Sequence, residues 1–397
     1  MKPQDLRRAV AGALALEELQ NVFGGRKTTV IFPAPSALLD VEAALDPTLA
    51  ALRAVGASCT VVVALGLRAP LTSSELEAIR AIASKHEVSV LSHDAAGTLS
   101  TLQPDVRTPE ARRAGVAEMP ARFHPAVAQA EALMCIGLVE PDLFCGFSGG
   151  AAVISMGCAS AETIHALRGL AFLRSPEVRI GRVQENPLQG ALWRLVRDLP
   201  PQRGVMAVPP VGRESWSAFA GPLQHSFQRA VALASERLFN VVDAPRPWMH
   251  VLMPPARASS FYEAAKAASA IALAPNTALA PSGYIVLEAE CPEGLGRGPV
   301  AEAFAEALRR GPQDLLSALT AGTESVPDGA QHAFVFAKAL ERARLVLLGA
   351  SDMPELAAFG VQQFSDLAAA RAALGLKGRV PKLDNVLHAV PVLAKPQ

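Results

Sequence analysis

A chain of 397 residues is longer than one hydrophobic core comfortably serves, which predicts two domains of roughly 100–200 residues each. Half of its residues are hydrophobic and 19% are charged, so it can bury large cores. Its 37 Lys and Arg balance 37 Asp and Glu; a formal net charge of zero excludes global attraction to nucleic acid or an anionic membrane and leaves small molecules or proteins as partners.

Near the N-terminus an apolar patch from Val10 to Leu16 is interrupted by Glu17 and Glu18, with no small-residue cleavage pattern behind it, so no signal peptide is expected. No run reaches the roughly 18 apolar residues that a membrane span needs. The expected location is cytoplasmic. Thr28 to Phe32 reads as a strand, Leu38 to Val55 as a helix, Cys59 to Leu65 as a strand, Ser73 to Lys85 as a helix and Val88 to Leu91 as a strand. Such alternation implies βαβ units and a mostly parallel sheet. Thr72 or Ser73 suits the cap of the second helix, with Glu75 and Glu77 in its first turn. Gly97 to Pro125 reads as an irregular excursion, and Leu133 to Val139 as another strand.

After that strand comes a glycine-rich turn, Gly146 to Gly150 (GFSGG), and then a helix ending near Leu173. Strand, glycine turn and helix can form an anion site, because glycines let backbone N–H groups approach a ligand. Alone the signal is weak, since an empty tight turn has the same composition. Gly146, Ser148 and Gly150 match G-x-S-x-G spacing, but a nucleophile elbow needs a helix directly after the serine, and Gly149 and Gly150 oppose one.

Pro222 to Leu238 reads as a connecting helix. Beyond it, strands are expected at Trp248 to Met253, Gly283 to Glu288 and Leu345 to Gly349, with helices at Ser260 to Leu273, Val300 to Arg309, Gln331 to Arg344 and Phe364 to Leu374. The apolar tail Val386 to Leu393 suits an added strand in either lobe. The fold class is α/β: two lobes with mostly parallel sheets, joined by a helical connection, with a cleft between the lobes. The expected domains are residues 1–221, a connecting helix 222–240, a second domain 241–360 and a tail 361–397 packing back on the first. Cys59, Cys135, Cys145, Cys158 and Cys291 are odd in number and lack CxxC spacing, which suits reduced, buried thiols.

Several segments together resemble the nickel-pincer-dependent lactate racemase family. Ala64 to Leu76 (ALGLRAPLTSSEL) resembles that family's G-T-H-R-P-M-T segment, and Ser92 to Asp94 its N-H-D. Gly146 to Gly150 and Gly157 to Thr163 (GCASAET) resemble G-F-S-G-G-x-K and P-G-x-A-x-x-x-T. Ala220 to His225 resembles the element before the connecting helix, Phe261 to Lys266 (FYEAAK) resembles L-Y-Q-A-x-K, and Ala289 to Gly296 (AECPEGLG) resembles A-E-C-R-E-G-L-G.

The resemblance implies a nickel pincer joined to a lysine, a histidine on the nickel, and two further histidines trading the substrate's hydroxyl proton. Ala152 stands at the lysine position and Arg168 at the nickel ligand, where a guanidinium has no lone pair to give. His165 lies one helical turn, ~4.5 Å, from Arg168. Arg68 and Asp142 stand at the catalytic histidines; arginine stays protonated and cannot be a general base. The acidic and arginine residues of a D-x-T-R-P segment are missing from Phe32 to Ala37. Lys266 keeps the position that anchors the substrate carboxylate, while Glu263 replaces a glutamine and can pair with it.

The expectation is a lactate-racemase-like chain with no covalent pincer, no metal and no usual lactate racemase activity, binding a small anionic metabolite or serving as a pseudoenzyme beside an active relative or a second copy of itself. Gly146, Ser148, Gly149 and Gly150 are its candidate anion-binding turn, Lys266 and Glu263 its substrate-binding pair, and Arg68 and Asp142 its candidate catalytic positions, expected to approach each other. The alternative is an isomerase, a racemase or epimerase of a 2-hydroxy acid using a non-covalently held pincer nucleotide or other anionic ligand. A third reading places a metal on Cys145, Cys158 and His165, whose spacing fits no familiar zinc pattern.

Overall fold

The computed structural model describes residues 2–35, 39–103, 119, 121–380, 382–384, 386 and 389–394. The chain forms two compact units, Met1–Glu140 with Phe147–Leu167 and Val183–Arg237, and Pro141–Gly146 with Arg168–Arg182 and Leu238–Gln397. No described helix is long and apolar enough to cross a membrane.

The first unit is built on six strands in the order Ser217–Pro222, Gln202–Val208, Ala132–Leu138, Lys27–Pro33, Ser58–Ala64 and Ser89–Ser92. All neighbours are parallel except Ser217–Pro222, which runs antiparallel at the edge. Val30, Ile31 and Phe32 are buried in succession, as a strand covered on both faces requires. The helix Ser73–Ser84 begins with the expected cap: Thr72 accepts from the Glu75 backbone, and the Glu75 carboxylate takes the Thr72 N–H. The helix Val41–Ala54 is capped by Asp40. Its Asp46 holds Arg7 of the helix Pro3–Ala13 and His86, tying three segments through one partly buried carboxylate.

The expected excursion contains a short antiparallel pair, Ser100–Gln103 with Ala121–Phe123; residues 104–118 and 120 lie outside the described residues, as do Ser36 and Ala37 of the D-x-T-R-P position. Elements of this unit absent from the sequence reading include the helices Pro3–Ala13, Leu16–Phe23 and Pro187–Val196 and the strands Gln202–Val208 and Ser217–Pro222.

The second unit has five parallel strands in the order Gln362–Phe364, Ala343–Leu348, Leu279–Glu288, Arg246–Leu252 and Lys382–Asp384. The helix Phe261–Leu273 is buried over most of its length because its alanines allow close approach. It meets the helix Gln331–Leu340 through Phe261 and Phe336, 5.4 Å apart at 85°.

Two expected boundaries need correction. The helix Leu223–Arg237 is part of the first unit rather than a connection, because Leu223, Ser226, Phe227, Ala230 and Ala234 give it a buried face there. The tail belongs to the second unit: Lys382–Asp384 extends the sheet beside Arg246–Leu252, and Val390–Leu393 pairs with Phe239–Val242.

Candidate functional site

In the first unit, the chain turns after Leu138 where neighbouring parallel strands lead away in opposite directions, a position at which α/β sheets commonly bind ligands. Ser148 is consumed by the turn itself. Its hydroxyl donates to the Leu138 carbonyl at 2.8 Å and accepts from the Glu140 N–H at 3.0 Å, so it staples the backbone. Gly149 and Gly150 have φ of 92° and 56°. A Cβ on Gly150 would lie 2.7 Å from the Phe227 ring, so packing alone demands glycine. A short helix, Ala151–Ser155, starts immediately after Gly150, earlier than the glycines suggested. Ala152 lies in it, and its methyl group offers no nucleophile. Arg68 is exposed in this unit.

The second unit holds the other candidates. Asp142 Oδ1 accepts from the N–H groups of Phe144 and Cys145 at 2.8 and 2.7 Å, closing a turn. Burial, followed by the Asp142 charge, pushes the Cys145 thiol well above its ordinary value, which removes it as a thiolate. Arg168 donates to Asp328, which also accepts from Gln331 Nε2 at 3.1 Å. Lys266 Nζ lies 2.6 Å from Glu263 and 3.9 Å from the centre of the Tyr262 ring.

His332, which the sequence reading passed over, stands against Phe144 at 4.9 Å and Tyr262 at 5.4 Å. Burial, then Lys266 and Arg168, hold its pKa well below the ordinary histidine value. The sequence carried no spacing signal for His332 or Asp328, which reach these neighbours only through tertiary packing. His165 is exposed. Among the described residues no group of three or more His, Cys, Asp or Glu is arranged to hold a metal.

Residues 2–181 match the family model described as the lactate racemase N-terminal domain. That part of the chain is similar to the lactate racemase N-terminal domain. It is 26% identical over 205 residues to a lactate racemase from Thermoanaerobacterium thermosaccharolyticum, covering 50% of this chain and 46% of that relative, so the match spans about half the relative's length. The lactate-racemase-like fold extends further than the sequence match. The structure of the lactate racemase apoprotein from that organism superposes with a TM-score of 0.80 at 20% identity, over 98% of this chain and 92% of that one. A protein from Thermotoga maritima superposes with a TM-score of 0.72 at 13% identity, over 99% of both chains.

Proposed function

We propose that this lactate-racemase-like chain binds a small carboxylate-bearing metabolite without a covalently attached nickel pincer, and does not racemise lactate by the family's usual route. The reading is supported chiefly by the side chain at residue 168. A nickel ligand must offer a lone pair, whereas Arg168 offers only N–H donors and spends one on Asp328. Ala152 adds a second mismatch, since a methyl group cannot form the covalent link. The residues present therefore do not fit the pincer group.

What remains suits recognition. Lys266 and Arg168 are cations of the second unit, and Tyr262, Phe144 and His332 supply aromatic surface beside them. A racemase or epimerase working through Asp142 has less support, because one carboxylate oxygen is committed to two backbone N–H groups. The test is titration of the purified chain with lactate and other small carboxylates, beside a racemisation assay after co-expression with the cofactor-making enzymes. Saturable binding without racemisation is expected; racemisation at a rate typical of an active relative would overturn the reading.

A further inference from the structure

The helix Pro187–Val196 of the first unit buries one face, made by Leu188, Ala191, Leu192 and Leu195, and presents another to a cavity. Gly190, Trp193, Arg194 and Arg197 all line that cavity. They are three or four residues apart, so they form one stripe of the helix surface, and Gly190 keeps it open by having no side chain. The space measures about 580 Å³, inside the ~300–1,000 Å³ range of small-molecule sites. Its other walls are the segment Leu199 to Gln202 and Pro222 to Gln224, where the helix Leu223–Arg237 begins.

The charge on this stripe is uncompensated. None of the described residues lining the cavity is acidic. Arg197 is exposed and meets Asp198 at 3.7 Å, a long and solvated contact. Arg194 is half-buried, and its side chain has no hydrogen-bond or ion-pair partner among the described residues. Its place in the last turn of the helix, at the negative end of the dipole, makes a cation tolerable there. Two like charges three residues apart still repel, and an anion between them relieves both. The aromatic wall is Trp193, whose ring packs on Phe227 at 5.7 Å. Trp216 and Trp248 are 6% and 3% exposed, whereas Trp193 is half-buried at the cavity.

We propose that this cavity is a second binding site, for an aromatic anion: a ring lying against Trp193 and carrying a phosphate or carboxylate group held by Arg194 and Arg197. Guanidinium forks match both kinds of oxyanion, and the indole supplies a flat apolar surface for the ring. The site lies wholly in the first unit and does not depend on the carboxylate binding proposed for the second. No bond is made or broken; the step is recognition.

The experiment titrates the full chain with phenyl phosphate, benzoate, benzyl alcohol and inorganic phosphate, followed by tryptophan fluorescence and calorimetry. At least one aromatic anion should bind about tenfold or more tighter than benzyl alcohol, which lacks the charge, and the tighter of the two names the anionic group. Inorganic phosphate, which lacks the ring, should bind more weakly than that anion. Arg194→Ala should weaken the aromatic anion about tenfold or more, and Arg194→Lys should recover part of the loss. Trp193→Leu should weaken it about three- to tenfold and remove the fluorescence response, since the two remaining tryptophans are buried. If Trp193→Leu fails to fold, the Arg194 variants decide. Lactate binding in the second unit should be the same in Arg194→Ala as in wild type, which keeps the two readings separable. Binding of neither aromatic anion, benzyl alcohol binding as tightly as both, inorganic phosphate binding as tightly as the better of them, or wild-type affinity in Arg194→Ala would each overturn the assignment.

Discussion

The Arg168 guanidinium is ion-paired with the Asp328 carboxylate, across 160 residues of sequence, with the two side chains 30% and 19% exposed. The residue that resemblance places at a nickel ligand is therefore part of an internal salt bridge. Replacing Arg168 with Leu leaves Asp328 half-buried without its cation, although Gln331 still donates to it. Chemical denaturation should show a loss of about 1–3 kcal/mol. An unchanged or raised midpoint would mean the pair contributes nothing to the fold.

Glu263 holds Lys266 at 2.6 Å and competes with any incoming carboxylate. Glu263→Gln removes that competitor at little structural cost, since a helical pair of this spacing is worth about 0.2–0.5 kcal/mol. Propionate affinity should rise up to about fivefold, measured by titration at low salt. A fall in affinity would show that Glu263 itself contacts the ligand.

Gly150 has φ 56° and ψ −135°, a conformation suited to glycine, and abuts Phe227. Gly150→Ala should cost about 2 kcal/mol or more through backbone strain and overpacking together. Ser148→Ala should lower stability by about 1–2 kcal/mol by removing the bonds to Leu138 and Glu140. It should leave carboxylate affinity in the second unit unchanged, a separation that thermal melts and titrations of the same variant can check.

His93 is 3% exposed, and burial holds its pKa at about 4 against an ordinary 6.5, despite the favourable bond from its Nε2 to the Ala159 carbonyl at 2.9 Å. Above pH 6.5 both folded and unfolded forms are neutral there and nothing is lost. As pH falls from 6.5 toward 4 the unfolded chain takes up a proton that the folded one refuses, so stability drops, by up to about 3 kcal/mol from this residue. Melting temperatures between pH 7 and pH 4.5 should show the slope, and His93→Gln should flatten it. His124, also depressed by burial, keeps it from vanishing. A His93→Gln slope as steep as wild type would rule out His93 as a source.

The alternation of strands and helices was legible because buried parallel strands are continuous apolar runs and their helices carry a 3.6-residue period. The strands Gln202–Val208 and Ser217–Pro222 escaped because Gly204, Gly221 and the flanking Pro200 and Pro201 break up the apolar runs, and Pro222 reads as the start of a helix, although the ladder fixes them. The helix Pro187–Val196 did carry a signal: Asn186 caps it, and Pro187 occupies its first turn. In the candidate site, Lys266 and Arg168 could be located from motif order. Asp328 and His332 could not, because an isolated aspartate and histidine acquire meaning only when folding sets them beside Arg168 and Tyr262.

Intact mass and nickel content of the chain, co-expressed with the cofactor-making enzymes and purified beside an active lactate racemase, test the central claim most directly. The account predicts the mass of the bare 41.5 kDa polypeptide and no bound nickel, while the active enzyme carries both adduct and metal. A mass increase matching the pincer nucleotide, with nickel in equal amount, would contradict it.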